Sequence, residues 1–280
     1  MKILATGANG QLGFDVLRAA KSQNIEVTGA DIQDFDITNL AETRMFITKH
    51  NPTCVIHCAA YTAVDLAEDE REKCHKINVT GTKNIALACK EIGAKMIYIS
   101  TDYVFDGEGE EPFKVDDIAN PVNYYGLTKF QGEQAIAEIL QNYFIARISW
   151  VYGINGNNFV KTMLKLAENR DELNIVGDQI GSPTYTLHLA PILLDMAQSD
   201  KYGIYHITGE GFCSWANFAS EVFNISNKQV KVNPIPSSEF PTKAKRPKNS
   251  RLNKSALDDY GFTRMPDWQE SLKYFIKNEL

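Results

Sequence analysis

The chain is short of cysteine, of positive charge and of long apolar runs, and each shortage excludes something. Across 280 residues there are 29 Lys+Arg against 35 Asp+Glu, a formal net charge of −6. Nucleic-acid affinity comes from many Lys/Arg–phosphate contacts, so no nucleic-acid partner is expected. A small anion held by a few local groups remains open. The five cysteines, Cys54, Cys58, Cys74, Cys89 and Cys213, are odd in number and form no CxxC pair, which argues against a disulfide framework. No run approaches the roughly 18 apolar residues of a membrane span. The start, Met1-Lys2-Ile3-Leu4-Ala5-Thr6-Gly7, passes from a short apolar stretch directly into glycine, without the apolar core and cleavage site of a signal peptide. No membrane partner and a cytoplasmic location are therefore expected. Internal repeats and low-complexity tracts are also missing. What is present is ordinary globular composition, 44% hydrophobic and 23% charged, which excludes a disordered or fibrous chain.

Up to about residue 150, short apolar runs alternate with helical patterns. Strands are predicted at Ile3–Thr6, Ile25–Ala30, Cys54–Cys58, Lys95–Ser100 and Tyr143–Ser149. Helices are predicted at Gln11–Lys21, Leu40–Lys49, Thr80–Glu91 and Tyr124–Leu140. Strands separated by helical crossovers imply an α/β fold with a doubly wound, Rossmann-like parallel sheet and ligands at the carboxyl ends of its strands. Beyond residue 150 the alternation weakens. Helices are expected at Asn158–Glu168 and Leu187–Met196, and a strand at Gly203–Ile207 that could rejoin the main sheet. The segment Pro234–Lys248, with Pro234, Pro236, Pro241 and Pro247 among basic residues, reads as a long loop. The expected organisation is a dinucleotide-binding domain over 1–150, joined by part of 185–207, and a smaller, discontinuous substrate lobe over most of 151–280.

Gly7-Ala8-Asn9-Gly10-Gln11-Leu12-Gly13 lies between the first strand and the first helix. Gly7 permits the tight turn, Gly10 lets the backbone approach a pyrophosphate, and Gly13 lets helix and strand pack closely. The helix start then offers unpaired N–H groups to the anion. Asp31, 18 residues beyond Gly13, ends the second strand, where a carboxylate accepts hydrogen bonds from a ribose 2′-OH and repels a 2′-phosphate. Between Asp31 and Thr43 stand Asp31, Asp34, Asp36 and Glu42 and no basic residue. NADH is thus expected to be preferred to NADPH, unless Arg18 or a distant residue folds back.

Tyr125-Gly126-Leu127-Thr128-Lys129 places a tyrosine and a lysine four apart on one helix face. A lysine ammonium beside the phenol would lower its pKa and suit it to proton transfer. In isolation the spacing recurs by chance, and an exposed Tyr with a solvated Lys is the plainer reading. Thr101, at the end of the strand Lys95–Ser100, could hydrogen-bond a substrate carbonyl oxygen. Glycine loop, acidic ribose residue, strand-end threonine and downstream Tyr-x-x-x-Lys occur in the order one dehydrogenase site requires. Cys54, His57 and Cys58 resemble metal ligands, but strand alternation points His57 away from both cysteines, and no metal is expected.

In this motif order the chain resembles the extended short-chain dehydrogenase/reductase family. Longer strings are similar to its nucleotide-sugar ketone reductases: Ala60-Tyr61-Thr62-Ala63-Val64-Asp65, Ser100-Thr101-Asp102-Tyr103-Val104-Phe105-Asp106-Gly107, Asn120-Pro121, Arg147-x-Ser149-Trp150-Val151-Tyr152, Gly156-Asn157-Asn158-Phe159, Asp178-Gln179-x-Gly181-x-Pro183-Thr184 and Arg246-Pro247-x-x-Ser250-Arg251-Leu252. The resemblance implies that Tyr125 donates the proton, that Lys129 holds the nicotinamide ribose and tunes Tyr125, and that Thr101 polarises the ketone. It further implies that Asp102 and Trp150 line a sugar pocket, and that Gly10, Gln11, Leu12, Asp31, Asp36, Ile37, Ala60, Tyr61 and Thr62 touch the cofactor. The implied reaction is reduction, by NADH or NADPH, of C4 of dTDP-4-dehydro-6-deoxy-L-mannose to dTDP-L-rhamnose.

The residues themselves add two anion sites. Asn157 and Asn158 precede a helix start, where the dipole suits a diphosphate. Lys243, Lys245, Arg246, Lys248 and Arg251 could form a lid over the same group. Three alternatives stay open: a dehydratase or epimerase, a reductase of another nucleotide-linked 4-keto sugar, and a non-catalytic regulatory subunit similar to that of methionine adenosyltransferase. The dehydratase pattern follows its threonine with Asp-Glu, whereas Asp102-Tyr103 stands here. A homodimer is compatible with the sequence, but no heptad or large apolar helix face specifies one.

Overall fold

Five of the six main-sheet strands come from the first half of the chain. In the computed structural model, which describes residues 1–280, the first half runs β1 (Lys2–Thr6), α1 (Gln11–Ser22), β2 (Glu26–Ala30), α2 (Leu40–His50), β3 (Cys54–His57), α3 (Arg71–His75), α4 (Thr82–Ile92), β4 (Lys95–Thr101), α5 (Tyr124–Ile139) and β5 (Tyr143–Ile148). The second half runs β6 (Val151–Tyr152), α6 (Phe159–Leu166), β7 (Glu172–Val176), β8 (Ile180–Gly181), β9 (Thr184–Tyr185), α7 (Thr186–Gln198), β10 (Gly203–His206), β11 (Cys213–Ser214), α8 (Trp215–Ile225), β12 (Lys231–Ile235), α9 (Ser255–Asp259) and α10 (Trp268–Asn278).

The main sheet has the order β10-β5-β4-β3-β1-β2 and is parallel throughout. The expected late strand does return, with Gly203–His206 pairing against Phe144–Arg147. Alternation along the strands divides the core between the two faces. Ile3, Ala5 and Ile56 pack with Leu12 and Val16 of α1 and Leu189 and Leu193 of α7. Leu4, Val55 and Ile145 pack with Ile47, Ile85 and Ile136 of α2, α4 and α5. The order reverses direction between β1 and β3, so a crevice opens at their carboxyl ends.

Three differences from the expected elements have physical reasons. The helix expected at Thr80 begins earlier: α3 continues through a π-helical segment, Lys76–Gly81, into α4. Pro234 lies within β12, which pairs in parallel with β7, so the expected loop starts late. A two-stranded sheet is all edge, and an edge strand tolerates a proline without N–H. Finally, Ala256, Leu257, Phe262 and Met265 pack into the core beside α1 and α7, so part of the C-terminal segment joins the first half. The rest of the second half closes around Tyr152, Tyr185, Phe218, Trp268 and Phe275.

Candidate active site

A cleft of about 760 Å³ runs along the carboxyl ends of β1, β3 and β4. At one end lies the glycine loop. Gly7 has φ +68°, and a Cβ there would lie 2.7 Å from the Ala59 nitrogen. A Cβ on Gly13 would lie 2.2 Å from the Gly7 oxygen, so that site admits only glycine. No side chain caps α1 at Gly10, which leaves its first N–H groups facing the cleft. Asp31 accepts from the Asn9 N–H at 2.8 Å, and Asp36 accepts from both the N–H and the hydroxyl of Thr38, each at 2.8 Å. Both carboxylates line the cleft beside Ile37, Ala60 and Thr62. Arg18 stays away, held by Asp15 and Glu279 at 2.9 and 2.8 Å.

At the other end Thr101, Asp102, Tyr125, Lys129 and Trp150 share the wall. Thr101 ends β4, and its hydroxyl donates to Asp102 Oδ1 at 3.0 Å. Asp102 Oδ2 is buried without a partner, and burial pushes this carboxyl up to about 6. Lys129 is 2% exposed, donates to the Ile99 carbonyl at 2.7 Å and lies 4.0 Å from the centre of the Tyr98 ring. Burial pulls its ammonium down to about 7, with Glu133 opposing. Tyr125 departs from the expected effect of Lys129. Burial drives its pKa up and the Thr101 hydroxyl resists, leaving it above its ordinary value. Desolvation is the largest cause, and the neighbouring Asp102 carboxyl adds to it.

Beneath this wall lies a network invisible to motif reading. Glu133, one turn beyond Lys129, accepts from Ser100 Oγ at 2.5 Å and from Arg147 Nε and Nη2 at 3.0 and 2.7 Å. Both members of the pair are 3% exposed. Asn78 was also missed. Its amide accepts from the Tyr61 N–H at 2.7 Å and donates to the Tyr61 carbonyl at 3.1 Å, fixing the loop after β3. The π-helical turn that aims Asn78 leaves no period or spacing signal in the sequence.

Five expected contact residues lie outside the cleft wall. Tyr61 turns its ring away, donating to Glu70 at 3.0 Å. Asn158 caps α6, accepting from Lys161 N–H at 3.1 Å and donating to Gln11 Oε1 at 3.0 Å, so its amide is spent on structure. Asn157 is exposed beside it. Arg246 pairs with Asp65 at 2.6 Å, and Arg251 donates to Asn249 at 3.0 Å. The expected basic lid is a strap pinned by acids: Lys243 to Asp69, Lys245 to Glu108 and Lys248 to Asp178. The His57 ring sits between the hydroxyls of Thr6 and Thr82 at 2.7 and 3.2 Å.

A glycine cradle at the sheet's switch point shares its cleft with Thr101 at the end of β4 and with Tyr125 and Lys129 of α5, and this architecture defines a dinucleotide-dependent oxidoreductase. The chain belongs to the family described as RmlD substrate binding domain, whose model matches residues 1–280. It is 39% identical to the spore coat polysaccharide biosynthesis protein SpsK of Bacillus subtilis, covering 99% of this chain and 97% of that protein. A dTDP-4-dehydrorhamnose reductase structure from Clostridium acetobutylicum is 46% identical with a TM-score of 0.96, covering 99% of this chain and 98% of the other. A dTDP-4-dehydrorhamnose reductase from Bacillus anthracis, solved in complex with NADP, is 42% identical with a TM-score of 0.96, covering 99% of each chain. No helix is long and apolar enough to cross a membrane.

Proposed function

We infer that this protein reduces the C4 ketone of dTDP-4-dehydro-6-deoxy-L-mannose, giving dTDP-L-rhamnose with a nicotinamide cofactor. The observation that carries the reading is the meeting of Thr101, Tyr125 and Lys129 in one cleft with the glycine cradle. The cradle fits a dinucleotide: Gly7 and Gly13 leave the room a Cβ would fill, and the uncapped start of α1 suits a pyrophosphate. Gly7, Gly10, Gln11, Leu12 and Gly13 would hold that pyrophosphate, with Asp31 at the adenosine ribose. The chemistry a bound dihydronicotinamide supplies is the hydride that adds to C4.

The chain's own groups manage the oxygen. Thr101, its hydroxyl turned from Asp102 to the substrate, donates a hydrogen bond to the ketone oxygen, and Tyr125 gives up its proton as that oxygen becomes a hydroxyl. The raised pKa keeps the phenol protonated but makes it the weaker acid, so donation depends on stabilising the phenolate that forms. The phenolate left behind is a buried anion, and Lys129 as a cation stabilises it. Asp102, with a free buried oxygen, accepts from a sugar hydroxyl. The absence of a second carboxylate after Asp102 weighs against dehydration, and the complete Thr101, Tyr125 and Lys129 set weighs against a purely regulatory role.

Asp31, Asp34 and Asp36 without a nearby cation support NADH as the preferred cofactor on Coulomb grounds. The NADP complex of the Bacillus anthracis relative supports acceptance of NADPH as well. Absorbance at 340 nm, with the sugar generated from dTDP-4-dehydro-6-deoxyglucose by a 3,5-epimerase, tests the reaction directly. Tyr125→Phe should lose about 10²–10⁴-fold in kcat while binding NADH normally. Retention of more than about a tenth of wild-type kcat would remove Tyr125 from the acid's role.

A further inference from the structure

Four non-glycine residues have left-handed backbone, and three of them are asparagines: Asn24, Asn51 and Asn227. The fourth is Trp150, at φ +49°, and it alone of the four lines the cleft. A bulky residue persists there only where its surroundings over-determine it. Several contacts do so. The Trp150 carbonyl accepts from the Thr184 N–H at 3.1 Å. Its indole stacks on that of Trp215 with centroids 3.6 Å apart and planes within 11°. Trp215 is in turn backed by Phe159 at 4.7 Å. Gly181 makes the room, since a Cβ there would lie 2.7 Å from Trp150 Cε2 and 2.9 Å from Nε1. Both supports belong to one small unit: Gly181 pairs with Cys213 across β8 and β11, and Trp215 opens α8 two residues later. The helix start is fixed by a capping box between Ser214 and Asn217.

We propose that Trp215, which does not itself line the cleft, is a positioning residue for the nucleotide sugar, acting through its stack on Trp150. The inference rests on the reductase reading above. An indole wall suits the apolar face of a 6-deoxyhexose, and a wall held in a strained backbone is useful only while its support is intact. Without the stack, Trp150 populates other conformers, and affinity falls in proportion to the lost population. The glycine loop and Asp31, which supply the pyrophosphate and adenosine contacts of the cofactor, lie at the other end of the cleft and keep their geometry.

Calorimetric titration of dTDP-L-rhamnose into the protein saturated with NADH, a dead-end complex, reads this without turnover. Trp215→Ala should weaken sugar-nucleotide binding about tenfold, equivalent to about 1.4 kcal/mol and of the size expected for one stacked aromatic pair. Trp215→Phe should restore most of it. Gly181→Ala, which displaces the Trp150 indole from the other contact, should weaken it similarly. NADH affinity should stay within about twofold in all three, and the kinetic effect should fall on KM more than on kcat. Wild-type affinity in Trp215→Ala, equal loss of NADH binding, or failure of phenylalanine to rescue would each overturn the proposal. If the unsubstituted protein binds no dTDP-sugar, the reductase reading itself fails and takes this inference with it.

Discussion

The floor of the cleft and its far wall are built from opposite materials. Under the reacting groups, Glu133, Arg147 and Ser100 form a buried, charge-assisted network, and Arg147 lies over the Phe105 ring at 5.0 Å. Across the cleft, the second lobe is held by rings: Tyr152 against Tyr185 at 5.4 Å, Phe159 against Phe218 at 5.3 Å, Trp150 against Trp215. Hydrogen bonds to charged groups are directional and fix three elements, β4, β5 and α5, at one geometry. Apolar packing is largely non-directional and fixes volume first. A proton donor needs geometry, whereas a wall for a sugar needs shape, and each region uses the interaction that supplies its need.

The strongest way to break the comparison is to remove one charge from the floor. Glu133→Ala leaves Arg147 buried and unpaired, and should cost about 3–5 kcal/mol in denaturant unfolding together with most of the activity. Replacing both partners, Glu133→Leu with Arg147→Met, should cost less stability than the single substitution while activity stays low. If the double variant is the less stable of the two, the floor is not a charge-paired network in the sense argued. In the lobe, Leu272→Ala empties a fully buried site among the aromatics, for about 3 kcal/mol of stability. Its kcat should hardly move at a temperature where the protein remains folded; a fall matching that of Glu133→Ala would erase the contrast.

Smaller effects sharpen the chemistry of the floor. Lys129, pulled to about 7 by burial, loses its proton as pH rises through neutrality, so kcat/KM should decline above about pH 7. The sign follows from the cation being the form that stabilises the Tyr125 phenolate. Lys129→Met should be slow and lack this limb; a wild-type profile flat to pH 9 would take away the role of the cation. The smallest expected effect is cofactor choice. Steady-state kcat/KM at low salt should favour NADH over NADPH several-fold, as expected from like charges near a 2′-phosphate. A clear NADPH preference would show that the Asp31–Asp36 segment does not govern selection.

The two regions were not equally legible. In the parallel sheet, strands buried on both faces read as continuous apolar runs such as Cys54–His57, and the helices between them announce their caps, so most boundaries fell within two residues. The site at its edge was legible for the same reason. Gly7, Gly13, Thr101 and Tyr125 sit at junctions that strand and helix periods locate. The lobe's paired strands are two residues long at β6, β8, β9 and β11, too short for a period to register. For Asn157, Asn158, Arg246 and Arg251 the sequence offers local charge, capping and membership of the resembling strings, none of which specifies a tertiary partner. Their partners, Gln11 for Asn158 and Asp65 for Arg246, lie 147 and 181 residues away.

Sequence alone determined the sheet, the glycine cradle and the order of the reacting groups, because turn stereochemistry, strand alternation and helical spacing are local properties of the chain. Tertiary structure decided the direction in which burial shifts Tyr125 and Lys129, the charged floor and the tryptophan wall. Desolvation, ion pairing and ring stacking depend on which distant segments meet, and no local pattern encodes that meeting.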